Sequence, residues 1–109
     1  MAQSIKYADI LTRVIREEAA PQPRIQPITY TAVCDAESGQ FLVIATGYEN
    51  KKWFDVIVFH ARLVEGLVVI ELDNIEGGLQ PALVAAGIPA DHIISGLKYE
   101  RMNVELLAA

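Results

Sequence analysis

Apolar and polar positions change period along this chain, and the changes mark out its elements. From Ser4 to about Ala20, apolar residues Ala8, Leu11, Val14, Ile15 and Ala19 recur at helical spacing. Lys6, Asp9, Arg13, Arg16 and Glu17 fall on the opposite side. The pattern predicts an amphipathic helix with Ser4 as its N-cap and the prolines of Pro21–Pro23 as its stop. A stripe this narrow must lie against another surface, so the helix is a docking element.

After the prolines the period shortens to two. In Ile28–Cys34, residues Ile28, Tyr30, Ala32 and Cys34 share one side, the mark of a half-buried strand. Asp35–Gln40 is a polar turn containing Gly39, and Phe41–Tyr48 is the returning strand. Glu49–Lys52 makes the next turn, and Trp53–Val64 and Leu67–Leu72 follow across a two-residue hairpin at Glu65-Gly66. Short turns of this kind join antiparallel neighbours, so the reading is a β-meander. Val56–Phe59 and Leu67–Ile70 are apolar on both faces, which predicts a sheet covered on both sides. Short helices suffice for one face, and the other face is then the expected interface.

The remainder is less regular. Gly77-Gly78 opens a second helix through Leu79, Leu83 and Val84 that closes at Gly87, with Pro81 tolerated in its first turn. Asp91 is placed to cap a single turn, and His92–Gly96 reads as a short strand or a buried connector. Val104–Ala108 fits either an added strand or an arm. The fold class expected is α+β: an antiparallel meander of about four to five strands, an N-terminal helix and a second helix after the fourth strand, packed mainly on one face. All 109 residues form one domain.

Composition sharpens the picture at two points. An apolar fraction of 52% is more than a domain this small can hide, so part of it belongs in a contact with a second copy or a partner. The net charge of -5, with basic residues scattered among acids, argues against direct and tight DNA binding, which needs a basic face. The single cysteine, Cys34, excludes an internal disulfide and suits a reducing compartment. No leader pattern and no apolar run near the roughly 20 residues of a membrane helix is present, which predicts a cytoplasmic protein.

Candidate chemistry is sparse. His60 draws attention because imidazole titrates near neutrality, yet its sequence neighbours are apolar and a structural histidine is the simpler reading. Two histidines and one cysteine do not make a metal set, and no cofactor is expected. Asp73 and Glu76 stand just before a helix, where carboxylates accept backbone amides; that capping role outweighs acid-base work. Gly77-Gly78 lacks the spacing of a phosphate loop. Trp53 and Phe59 share a parity on one strand, which predicts a packed aromatic face rather than a base-stacking one. No nucleophile–histidine arrangement is available, so an enzyme is not expected.

Taken in order, GYENKKW (Gly47–Trp53), His60, Glu65-Gly66, Asp73 with Glu76, and AAGIPADHIISG (Ala85–Gly96) resemble the XisI-like family, described as fdxN element excision controlling factors of cyanobacteria. The likeness runs from the first helix through Asp35 with Glu37 to Arg101 and Glu105, and GIPADHIISG is its most specific piece. This chain departs from the family pattern at Leu67, Val69, Ile75, His92 and Leu97-Lys98. The resemblance implies an accessory protein in DNA recombination, for excision of a DNA element during heterocyst differentiation. Catalysis would belong to a separate recombinase. It marks His60, Asp73, Glu76 and Arg101 as the positions of interest, and an XisH-like, nuclease-like protein as the natural partner. Together with the apolar excess it gives the expectation of a cytoplasmic homodimer acting through protein partners. The rivals are an inhibitor or antitoxin-like partner of a nuclease, a direct DNA-binding factor, and a small-molecule or enzyme role if folding gathers His60, Asp73 and Glu76.

Overall fold

A computed structural model describes the backbone of residues 2–20 and 27–108, and the side chains of residues 6–20 and 27–103. The elements run α1 (Ala2–Ala19), β1 (Ile28–Asp35), β2 (Gln40–Glu49), β3 (Lys52–Val64), β4 (Leu67–Asp73), α2 (Gln80–Ala85), a 3₁₀ turn (Ala90–His92), β5 (Ile93–Ser95) and α3 (Gly96–Ala108). This is the expected α+β architecture. The strands form one sheet in the order β1-β2-β3-β4-β5, antiparallel through the first four. β5 pairs with β4 in parallel, and α2 lies in the crossover that such a pairing requires.

Turn chemistry sets the meander. Asn50 and Lys51 (φ 53° and 65°) join β2 to β3, and Glu65 and Gly66 (φ 52° and 80°) join β3 to β4. Positive φ at both central residues gives the two-residue turn whose twist matches the flanking strands. In the longer β1–β2 turn, the Asp35 carboxylate accepts the Glu37 amide at 3.1 Å. The Ser38 hydroxyl, with backbone amides assisting, holds the Asp35 carboxyl below its ordinary range.

The core lies on one face of the sheet, called here the first. Tyr7, Ala8, Ile10, Leu11, Val14 and Ile15 of α1 pack on Phe41 and Val43 of β2, Phe59 and Ala61 of β3, and Val68 of β4. Leu79, Leu83 and Ile88 seal its end. The wet side of α1 is as the spacing predicted, with Lys6, Asp9, Arg13, Arg16 and Glu17 all exposed. Tyr7 and Ile10 join the buried side because a helix docked on a broad sheet buries more than its narrowest stripe.

α2 ends as its glycine predicted. The amide of Gly87 donates to the Val84 carbonyl and that of Ile88 to the Leu83 carbonyl, both at 3.1 Å, the paired closure of a Schellman motif.

Three expectations about the ends of elements change. α1 begins at Ala2, so Ser4 is inside the helix and not its cap. The Pro21–Pro23 linker lies outside the described residues. Asp91 sits within the 3₁₀ turn, whose N-cap is Pro89 with no side-chain cap bond. Val104–Ala108 is neither strand nor arm but the end of α3, which continues without a break from Gly96.

The last correction is one of parity. The β2–β3 register shifts between Val43, which faces Phe59, and Ile44, which faces Ile57, leaving Val58 as an extra residue. A bulge of one residue reverses which side every later residue faces. Phe59 is therefore in the core, while Trp53 faces away from it. Trp53 and Phe59 share no face.

Leu11 is fully buried between α1 and the sheet. Leu11→Ala should cost about 2–5 kcal/mol of stability. Urea unfolding measures it, and a loss below about 1 kcal/mol would show that α1 is not the lid of this core.

Candidate interaction surface on the second sheet face

The second face is covered at one end and open at the other. α3 lies over β4 and β5, where Val69 is fully buried although it is outside the first-face core. Arg62 and Glu71 form an ion pair at 2.7 Å, and the Arg62 guanidinium sits 6.0 Å from the centre of the Tyr99 ring on α3. The Ser95 hydroxyl accepts the Lys98 amide at 3.2 Å and fixes the start of α3.

Over β1, β2 and the far half of β3, none of the described helices covers this face. Val33 of β1, Leu42 and Ile44 of β2 and Ile57 of β3 form an apolar strip across three strands. Val33 is 39% exposed and Ile57 45%. Beyond the strip the β2–β3 hairpin carries Tyr48 and Trp53, exposed by 55% and 60%. Their rings meet edge to face, with centroids 5.1 Å apart. Opposed on the ladder, they form a rigid aromatic pair held up to solvent. Val56, on the first face but past the reach of α1, is 48% exposed. The polar Thr46–Asp55 rung stands between the strip and the aromatic pair, and exposed apolar surface with a polar break of this kind is a candidate interaction site. The covered-both-sides reading of the apolar strands thus holds at β4 and fails at the end of β3.

The marked positions are dispersed. His60 is half-buried on the second face, where its Nε2 is hydrogen-bonded to Gln40 Oε1 at 2.6 Å. Asp73 pairs with Phe59 on the ladder and so belongs to the opposite side from His60. Its Oδ1 accepts the Ile75 amide at 3.2 Å and its Oδ2 the Leu79 amide at 2.8 Å, so it shapes the loop that delivers the chain to α2. Gly77 and Gly78, at φ 79° and 72°, complete that loop, in which the Gly78 amide donates to the Ile75 carbonyl at 2.8 Å. Glu76 and Arg101 are exposed, on the loop and on α3. Folding does not gather His60, Asp73 and Glu76 into one constellation.

His92 is half-buried, and its Nδ1 is hydrogen-bonded to the buried Tyr7 hydroxyl at 2.5 Å, tying the 3₁₀ turn to α1. Sequence reading missed this pair, because its members are 85 residues apart. Among the described residues, no group of three or more His, Cys, Asp or Glu side chains is placed to hold a metal ion. None of the described helices is long and apolar enough to cross a membrane.

This fold matches that of solved XisI-like structures. A XisI-like protein from Anabaena variabilis ATCC 29413 superposes with a TM-score of 0.74 at 18% identity, over 86% of both chains. The fdxN element excision controlling factor XisI from the same organism gives 0.68 at 21% identity, over 87% of this chain and 86% of that one. The family model of the XisI protein matches residues 1–105, and the chain belongs to that family. No curated protein matches it.

Asp73→Ala should destabilise the protein by roughly 1–3 kcal/mol, because two loop amides lose their acceptor. Glu76→Gln should leave stability within about 0.5 kcal/mol of wild type, as expected for an exposed site. Thermal unfolding of both variants tests the structural reading of the loop, which an unaffected Asp73→Ala protein would contradict.

Proposed function

We propose that this protein is a non-enzymatic accessory factor that controls excision of a DNA element by contacting other proteins. The open part of the second sheet face carries the contact. Membership of the XisI family and likeness to an excision controlling factor support the biological role. The single observation that carries the mode of action is the uncovered strip running toward Tyr48 and Trp53, with Val33 and Ile57 exposed and Leu42 and Ile44 half-buried between them.

The chemistry of that surface suits a protein partner. It offers aliphatic area with two aromatic anchors, the residue types that dominate protein–protein contacts. The acidic balance of the chain counts against phosphate as the direct ligand. The protein works as a homodimer in the cytoplasm, during heterocyst differentiation in cyanobacteria. Its partner is an XisH-like protein or the recombinase itself, and the reacting groups reside on that partner.

Charge placed at the centre of the strip should abolish the contact. Ile57→Lys, and separately Tyr48→Ala with Trp53→Ala, should weaken binding of an XisH-like protein from the same host by at least about 30-fold, the scale of losing a hot-spot side chain. Isothermal titration calorimetry measures the loss, with unfolding curves as the control for integrity. Undiminished affinity in both variants would remove the open face as the contact. His60→Asn should leave excision in a reconstituted assay unchanged, whereas loss of excision by a normally folded variant would revive a chemical role for the imidazole.

A further inference from the structure

We infer, on the protein-contact reading above, that the open second face docks against a basic surface of its partner, an apolar centre ringed by lysine and arginine. That surface is where the partner holds DNA, so this chain and DNA exclude each other from it.

Charge is sorted between the two sides of the molecule. On the second face, the apolar strip is bracketed by carboxylates along the strands. Asp35 stands opposite Gln40 at one end, and Asp55 opposite Thr46 at the other. The run from Gln40 to Thr46 is roughly 20 Å of strand. Both aspartates are exposed, and the Ser38 hydroxyl with backbone amides keeps the Asp35 carboxyl ionised. Arg62, the cation of β3 on this face, is already held by Glu71. Among the described residues, no cation pairs with Asp35 or Asp55. The other cations lie elsewhere. Lys52 is on the first face opposite Glu49, and Lys51 is in the turn itself. Lys6, Arg13 and Arg16 are on the exposed side of α1, across the sheet from the strip, and Lys98 and Arg101 are on α3.

This distribution selects the occupant. A second copy laid on the strip would bring carboxylates to a surface with no free cation to receive them, and like charges across an interface oppose binding. A wholly apolar partner would strip water from Asp35 and Asp55 and leave them unpaired. Arginine and lysine satisfy both ends of the strip at once. Their aliphatic stems also lie well on Val33, Leu42, Ile44 and Ile57 while the charged heads reach the rim. Thr29 and Thr31, exposed on the same face, offer hydroxyl oxygens to those heads.

A surface with this chemistry also attracts phosphate, because lysine and arginine that release counterions supply much of the affinity for the DNA backbone. In a protein that acts on DNA, it is the surface on which the duplex sits. Tyr48 and Trp53 give this chain two aromatic anchors beside the carboxylates, so it competes there by contact as well as by charge.

The full chain, an XisH-like protein from the same host and a fluorescein-labelled DNA duplex test this. Calorimetric affinity for the XisH-like protein should fall at least about tenfold between about 50 and about 500 mM NaCl. Asp55→Lys should weaken binding at least about tenfold at the lower salt and flatten the salt response. Glu17→Lys, the same charge reversal on the far side of α1, should bind within about twofold of wild type. Added wild-type chain should release the duplex from the XisH-like protein, read as a fall in anisotropy. The salt and release measurements use wild type and stand if Asp55→Lys fails to fold. No binding at any salt overturns the protein-contact reading together with this inference. Binding that responds neither to salt nor to Asp55→Lys overturns the basic surface alone. A stable complex of all three components, or an XisH-like protein that holds no duplex, overturns the competition with DNA.

Discussion

Everything in this fold follows from how α1 closes the first face of the sheet. Leu11, Val14 and Ile15 reach Phe41, Val43 and Phe59, and that contact is the main body of the core. Burial of this kind is the dominant favourable term in folding. Among the described residues only two further α-helices remain, and both are committed near the β4–β5 end: α2 to the crossover and α3 to the second face. Nothing described is left to cover β1, β2 and the end of β3 from the other side. The exposed strip is thus a consequence of helix supply, in a chain whose strands are apolar well beyond what its own helices can shelter.

The same constraint explains the division of labour among the polar residues. Asp73, which stands at a position marked by the family pattern, spends both carboxylate oxygens on loop amides and directs the chain into α2. His60 is held by Gln40 at the boundary between the covered and open parts of the second face. Arg62, Glu71 and Tyr99 fasten α3 over β4. Each has an architectural task, and they lie on different faces. The proposed contact role needs the surface these tasks preserve.

Much of this was legible in the sequence. Alternation in Ile28–Cys34, the Glu65-Gly66 turn and the glycine at position 87 fixed the strands, a hairpin and a helix end, because each depends on residues adjacent in the chain. What failed depended on partners. The bulge at Val58 exists only against the register of β2, so parity counting placed Trp53 with Phe59 when they lie on opposite sides. The parallel pairing of β5 and the Tyr7–His92 bond are contacts of high sequence separation with no local signal. Val104–Ala108 was ambiguous because a short apolar run fits a strand as well as the end of a helix. The open face itself was anticipated, from strands apolar on both sides and too few helices to cover them.

The position of Trp53 makes the central claim directly observable. It is the single tryptophan of the chain and is 60% exposed at the end of the open face. Its fluorescence therefore reports on the face alone. When an XisH-like protein engineered to lack tryptophan is added to the wild-type chain, the emission maximum should move to shorter wavelength, saturating at the stoichiometry of the complex. A complex that forms while Trp53 emission stays that of a solvated indole would contradict the account.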